Sequence, residues 1–400
     1  VPVLSYRYKL SPTPRQAQTI EAWLEACRWL WNWALRERKD YARARTCRVD
    51  ACSLRGESII PPDARRPTYA SQCRQLTRLK RERSSLQQVY NPVLQRTLHR
   101  LETAWVDMNR RGFGFPRFKQ AGQLRTLVFP QLNKQVVAGN RLQFPKLGWV
   151  KFRKSRELPQ GFQIRQLQIV RKASGYYAIV TLQADVEVPE PQPHGHAVGL
   201  DVGLERFLAT SDGELVPNPR RFERSQRKLR LLQWQLKHKR KGSRRWRCLQ
   251  WRIARQYERI SDTRRDWFYK LAHRLCDRAG SLYAEALNLK ALARSQFGKQ
   301  VLDAAWGEFL SVLAWVCRKR GVYFGRVEAT YTSQVCPACW THTGAKPLSQ
   351  RRHDCPECGY TTDRDVAAAQ VVSTVGQTGK MLAEGKGSGE LVQASSRASQ

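Results

Sequence analysis

Residues 1–10 set Leu4, Tyr6, Tyr8 and Leu10 against Val3, Ser5, Arg7 and Lys9. A period of two predicts a strand. Ser11-Pro12-Thr13-Pro14 breaks it, and Thr13 followed by Pro14 opens a helix. From Ile20 the apolar positions fall at Ile20, Trp23, Leu24, Cys27, Leu30, Trp31 and Ala34, which is helical spacing. The four tryptophans Trp23, Trp29, Trp31 and Trp33 are expected in the core, where large aromatics mostly serve. Residues 47–67 are irregular, with Pro61, Pro62 and Pro67, and Cys47 and Cys52 have no matching second pair nearby. Helical spacing returns over 69–86 and 92–108, so residues 13–111 form a mostly helical, basic module.

Short strands follow over 126–129, 141–144, 148–152, 162–169 and 176–182, with hairpin signals at Ala138-Gly139-Asn140 and Ser174-Gly175. Such a series suggests a small β-barrel over 112–190, which the first strand, 1–12, joins. Residues 186–193, with Pro189, Pro191 and Pro193, read as a linker. Beyond it, a strand over 197–202 carries Asp201 and runs into a hairpin across Ser211-Asp212-Gly213, the way a ribonuclease-H-like sheet begins. Residues 219–275 are helical and very basic, split at Gly242-Ser243. Strands at 282–287 and 322–327 flank a helix over 301–320. Residues 376–400 have few large apolars and are expected to form a disordered tail.

Charge narrows the partner. In 400 residues, 71 Lys+Arg stand against 33 Asp+Glu, a formal net charge of +38. So large an excess calls for a polyanion, with nucleic acid foremost. A membrane role would want a basic amphipathic helix or a span of about 20 apolar residues, and no such span is present. The start reads as a strand, not a signal peptide. Eleven cysteines, an odd number spread thinly, argue for a reducing compartment. Between Arg220 and Arg247 almost no acid offsets the cations, so Arg227, Lys228, Lys239, Lys241 and Arg244 are candidate phosphate contacts. In Arg111–Lys119 rings and cations alternate, with Phe115, Arg117 and Lys119 as candidates. That segment suits nucleic acid, and it equally suits a packed turn.

Two patterns carry chemistry. Cys336-Pro337-Ala338-Cys339 and Cys355-Pro356-Glu357-Cys358 are two C-x-x-C pairs 15 residues apart, the spacing of a closed, structural zinc ribbon. Trp340 follows the first pair where a knuckle usually has glycine, as Gly359 does after the second. His342 and His353 are spare ligands only. The second pattern is Asp201, Glu285 and Asp365, each at a strand or helix edge. Three converging carboxylates suit two magnesium ions roughly 3.5–4 Å apart, able to activate water against a phosphodiester. His194-Gly195-His196 in the linker is read as incidental.

With these residues in view, the sequence resembles the TnpB family of transposon-encoded RNA-guided DNA endonucleases, relatives of type V CRISPR effectors. The resemblance spans about residues 1–375. It rests on Gly199-Leu200-Asp201-Val202-Gly203, Gly114-Phe115-Pro116-Arg117-Phe118-Lys119, Pro145-Lys146-Leu147-Gly148, Thr332-Ser333-Gln334 and the Cys358–Asp365 run ending in Asp-Arg-Asp. It implies an α/β multidomain protein. A RuvC, ribonuclease-H-like nuclease domain would occupy 191–328 and 363–375, with a zinc-ribbon insert at 329–362. A wedge β-barrel would comprise 1–12 and 112–190, and a helical recognition domain 13–111. It implies Asp201, Glu285 and Asp365 as magnesium ligands, a guide RNA and double-stranded target DNA as partners, and a monomeric ribonucleoprotein in a prokaryotic cytoplasm, associated with the nucleoid when on DNA. Tyr69, Gln95 and Gln131 resemble the readers of the short flanking motif. Many members have asparagine where this chain has Ala367. The competing readings are a nuclease-inactive guided DNA-binding protein or repressor, and a strand-joining transposase. The latter would want a Tyr or His-rich metal site that the sequence does not display.

Overall fold

The computed structural model describes residues 3–46, 60, 63–112, 114–132, 135–184, 189–328, 332–347, 349–382 and 391–393. Cys47 and Cys52 lie outside them. The chain divides into two compact units, Val1–Val188 and Pro189–Gln400.

In the first unit, β1 (Val3–Ser11) leads into α1 (Pro14–Thr46), then α2 (Tyr69–Glu82), α3 (Ser84–Gln87) and α4 (Asn91–Arg111). Six strands complete it: β2 (Thr126–Phe129), β3 (Val137–Ala138), β4 (Arg141–Phe144), β5 (Gly148–Arg153), β6 (Gln163–Lys172) and β7 (Gly175–Gln183). They form one antiparallel sheet in the order β2-β6-β7-β1-β5-β4-β3. The first strand lies in the middle, paired from Val3 opposite Gln183 to Lys9 opposite Tyr177. The helices do not make a core of their own. Trp23, Leu30, Leu94 and Leu98 pack into the same apolar cluster as Phe129, Phe144, Leu167 and Val180. Trp23 and Trp31 are buried, while Trp29 and Trp33 pack half-buried against that cluster. The single helix expected over 69–86 is broken at Arg83, whose backbone is extended.

The second unit opens with β8 (Ala197–Asp201), β9 (Arg206–Thr210) and β10 (Leu215–Pro217). The basic stretch forms an antiparallel pair of helices, α5 (Arg221–Lys237) and α6 (Arg244–Cys276), with Gly242 at φ +84° and Ser243 capping α6. Then follow β11 (Ser281–Glu285), α7 (Leu289–Arg294), α8 (Gly298–Ala304), α9 (Trp306–Arg320) and β12 (Tyr323–Val327). The strand order is β10-β9-β8-β11-β12; β8, β11 and β12 are parallel, and β9 and β10 run antiparallel. A small hairpin, β13 (Arg352–Asp354) and β14 (Thr361–Asp363), leads into α10 (Arg364–Thr378).

Two expectations are corrected here. The helix expected over 301–320 is two, because Ala305 takes a left-handed φ of +52° between α8 and α9. Alanine carries no breaker signal, so the pattern hid the joint. The stretch from 376 on was expected to be a disordered tail. Instead α10 runs to Thr378, and backbone strands β15 (Lys380–Leu382) and β16 (Leu391–Gln393) pair antiparallel. Its other residues lie outside those described.

Candidate metal centres and nucleic-acid interface

The sheet of the second unit puts two of the three acids side by side. Leu200 on β8 lies opposite Ala284 on parallel β11. One residue further, at the carboxyl end of both strands, come Asp201 and Glu285. Ligands of open α/β sheets collect outside the carboxyl ends of the strands, where neighbouring strands connect onward in opposite directions, as β8 does to β9 and β11 to β12. The third acid arrives on α10. Asp363 caps that helix by accepting from the Asp365 N–H at 2.9 Å, which fixes Asp365 in the first turn. There the helix dipole favours its negative form.

Gly199 allows α10 to reach the strand. A Cβ on Gly199 would stand 1.9 Å from the Ala369 carbonyl oxygen and 2.6 Å from the Ser373 nitrogen. Further along α10, a Cβ on Gly376 would meet the Tyr283 ring at 2.3 Å. Two missing side chains let the helix lie directly on β8 and β11. The Ser373 hydroxyl also donates to the Ala197 carbonyl at 3.2 Å.

Asp201 feels the other two acids. Burial first, then the negative charges of Asp365 and Glu285, push the Asp201 carboxyl up to about 7, against the pull of Arg364 and the Val202 N–H. Burial raises Glu285 as well. Burial and Asp363 raise Asp365, opposed by Arg351 and Arg364. Asp201 and Asp365 open onto a cleft of about 540 Å³, also lined by Glu205, Arg220, Arg351 and Arg364. Arg351 is ion-paired with Glu205. Ala368 lines this cleft, whereas Ala367 is buried at 3% exposure. The Asp-Arg-Asp run contained Arg364, but nothing in the sequence marked Arg351 or Glu205 as cleft residues.

Among the described residues, the four cysteines alone form a group of three or more ligand atoms all within 4.8 Å of one another. Cys336 and Cys358 sulfurs lie 3.7 Å apart, Cys339 and Cys355 3.5 Å. Four thiolates about 2.3 Å from a tetrahedral ion would stand about 3.8 Å from each other, so the set fits such an ion. The two knuckles match: Trp340 N–H donates to the Cys336 carbonyl at 2.9 Å and Gly359 N–H to that of Cys355 at 3.1 Å. Trp340 takes φ +65° and Gly359 φ +71°. The tryptophan therefore adopts the conformation glycine gives more cheaply. His353 is buried and contacts Lys346 Nζ at 2.5 Å through Nδ1. In the linker, His194 Nδ1 meets the Gln192 carbonyl and His196 Nε2 the Asp212 carboxylate, each at 2.9 Å, so the two rings serve different partners.

The other candidates scatter over exposed surface. Arg227, Lys228, Lys239, Lys241 and Arg244 are exposed along α5, its turn and the start of α6. In the first unit, the 115–119 segment combines both of its expected characters. Its backbone is tied to α1: Trp31 Nε1 donates to the Arg117 carbonyl, and Asn32 exchanges two hydrogen bonds with Lys119. Its Phe115, Arg117 and Phe118 side chains remain exposed. Tyr69 packs edge-on to His99 of α4, one turn beyond Gln95. Gln131 is exposed after β2 and makes no hydrogen bond or ring contact with either among the described residues.

Three family models match in chain order. One described as "Helix-turn-helix domain" covers 4–47, one described as "Probable transposase" 180–296, and one described as "Cas12f1-like, TNB domain" 306–372. The first spans β1 and one unbroken helix here. The chain is 27% identical over 404 residues to "Putative RNA-guided DNA endonuclease InsQ" of Escherichia coli (strain K12), covering 96% of this chain and 95% of that protein. A like-named protein of Streptomyces pristinaespiralis is 27% identical over 391 residues, with coverages of 95% and 91%. Among solved structures, the chain is similar to one titled "Cryo-EM structure of the Cas12f1-sgRNA-target DNA complex", at 14% identity, TM-score 0.35 and coverages of 93% and 99%. Among the described residues, no helix is long and apolar enough to cross a membrane. With three matched models in order and two relatives aligned almost end to end, the chain is similar over nearly its whole length to proteins named as RNA-guided DNA endonucleases.

Proposed function

We propose that this protein is an RNA-guided DNA endonuclease whose phosphodiester cleavage site is the cleft at the carboxyl edge of β8 and β11. The observation that carries this reading is the placement of Asp201 and Glu285 at adjacent strand ends, where burial, then the charges of Asp365 and Glu285, lift Asp201 to about 7. Asp201 and Asp365 line the cleft with Glu285 at the neighbouring strand end; carboxylates so placed are stabilised by cations, and hard oxygen ligands select magnesium. The acids would hold two such ions, which supply an activated water and stabilise the leaving oxygen. The chain's own cations assist: Arg220, Arg351 and Arg364 line the cleft and offer charge to the scissile phosphate. The strand order, with its two antiparallel strands and three parallel ones, supports a ribonuclease-H-like, RuvC-type nuclease unit. The four cysteines would hold a structural zinc that leaves no position open for substrate. The sheet and helices of the first unit would serve as wedge and recognition surfaces.

The partners in this reading are a guide RNA and a double-stranded DNA target, in a prokaryotic cytoplasm. Base pairing would read the sequence and the protein a short flanking motif, with Tyr69, Gln95 and Gln131 as candidate readers. The basic α5–α6 pair and the 115–119 segment would carry phosphate and base contacts. The test is to sequence the RNA that co-purifies with the protein, then challenge the particle with DNA matching that RNA. One discrete RNA and magnesium-dependent cleavage lost in Asp201→Ala and Asp365→Ala are expected. Target binding without cleavage in the parent protein would favour the inactive-binder reading instead.

A further inference from the structure

A second concavity lies in the first unit, away from the acids. It is about 460 Å³ in volume and is walled by Arg38, Tyr41, Arg45, Arg66, Trp105 and Phe115. That volume falls in the range of small-molecule sites. Among the described residues, no carboxylate lines it. We propose that this cavity takes one unpaired base of a single-stranded nucleic acid, stacked against Trp105 and Phe115 with its phosphate at Arg45 and Arg66. The idea deepens the nucleic-acid reading above and rests on it for the identity of the strand.

The walls suit this ligand. Trp105 and Phe115 meet edge-to-face with centroids 5.1 Å apart, so two ring surfaces form a corner. Trp105 is 8% exposed and fixed, whereas Phe115 is 41% exposed at the mouth. Inside, Arg38 is only 4% exposed. It is held by Glu102 at 2.6 Å and by Gln72 Oε1 at 3.0 Å, with its guanidinium 5.8 Å from the Trp105 ring centroid. Its charge is therefore matched within the protein, and it stiffens the back wall. At the rim, Arg45 lies 4.7 Å over the Tyr41 ring, and Arg66 is exposed. Outside, Lys39 Nζ sits 5.1 Å from the Phe115 centroid and 4.9 Å from that of Phe118, itself 39% exposed. Rings alternating with cations along a surface path form a stacking platform with an electrostatic guide. A protein ligand of matching charge would be an acidic segment, but two aromatic walls at a corner favour a planar ring over a carboxylate chain.

The test is photocrosslinking of the full-length protein with 12-nucleotide single strands, RNA and DNA in separate arms, each carrying one 5-iodouracil. Crosslinked residues are read by mass spectrometry. Crosslinks at Trp105, Phe115 or Tyr41 are expected, and the stronger arm identifies the strand. Phe115→Ala should lower affinity for the 12-mer about tenfold, the loss of one stacked base, without changing the slope of affinity against salt. Met108 also lines the cavity, and Met108→Trp, which fills it, should abolish the crosslinks at Tyr41 and Trp105. Crosslinks only elsewhere, or a Phe115→Ala loss accompanied by a shallower salt slope, would overturn the proposal. Guided cleavage is scored separately. Its absence with the crosslinks intact would count against the nuclease reading alone.

Discussion

Replacing Asp201 by asparagine should make the metal-free protein more stable while destroying cleavage. The Asp201 carboxyl is pushed from 3.8 to about 7 by burial and by its two acidic neighbours. Well below pH 3.8 the group is protonated in both folded and unfolded chains, and stability does not depend on it. From pH 4 to 7 the unfolded chain ionises and the folded one resists, so stability falls as pH rises through that window. A shift of about three units at about 1.4 kcal/mol each makes the full cost about 4 kcal/mol above pH 7. Asparagine keeps the shape and drops the charge. For a unit of this size, 1 kcal/mol moves the melting temperature by roughly 2–4 °C, so Asp201→Asn should melt on the order of 10 °C higher at pH 8.

The assay is a melt of the parent and Asp201→Asn proteins in magnesium-free buffer containing stoichiometric zinc, from pH 4 to pH 8. Their difference removes every other titrating group. It should be near zero at pH 4, grow through pH 7 and level off. Saturating magnesium at pH 8 should close the gap by raising the parent. A difference that is flat with pH, or an asparagine variant no more stable at pH 8, would refute the electrostatic argument. A gap that magnesium leaves untouched would refute the cation site even if the charges repel as described.

Gly199→Ala should cost about 3 kcal/mol, the upper end of overpacking, because its Cβ would meet the Ala369 carbonyl at 1.9 Å; denaturant unfolding measures this, and unchanged stability would mean that α10 does not press on β8. Cys355→Ser should reduce bound zinc from one equivalent per chain toward none and expose the 332–363 segment to protease; full zinc content in the variant would remove the four-sulfur site. The affinity of guide RNA should fall steeply with salt, and the triple variant Lys239→Ala, Lys241→Ala, Arg244→Ala should flatten the slope of log affinity against log salt by about 0.7 per lost phosphate contact. An unchanged slope would show that these exposed cations touch no phosphate.

How far the sequence reached depended on the range of each signal. The cysteine spacing is local, so each pair's turn sets its own two sulfurs and could be read before any fold was known. The period of two over residues 3–10 identified β1, but only the sheet shows it at the centre, paired with a strand some 170 residues later. Hydrophobic spacing cannot state a partner. It also separated a helical module from a β module that share one apolar cluster, because periodicity reports which face is buried and not against what. The joint at Ala305 went unread for a different reason, since its left-handed backbone is imposed by packing on a residue that signals helix.

The acids show what a pattern can and cannot supply. Each was legible as a charge at the end of an apolar run, because a carboxylate there is expensive unless something compensates it. The approach of α10, which carries Asp365, to β8 and β11 depends on Gly199 and Gly376, whose role lies in side chains that are absent. In the sequence those glycines look like flexibility; in the fold they are contact surfaces that bring Asp365 to a strand edge more than 160 residues earlier in the chain. The same close approach buries the cluster enough to raise Asp201. Packing density and metal demand therefore have one structural origin. A substitution that pushes α10 away from β8 should lower the Asp201 pKa and weaken magnesium binding together, whereas Asp201→Asn uncouples the charge from the packing.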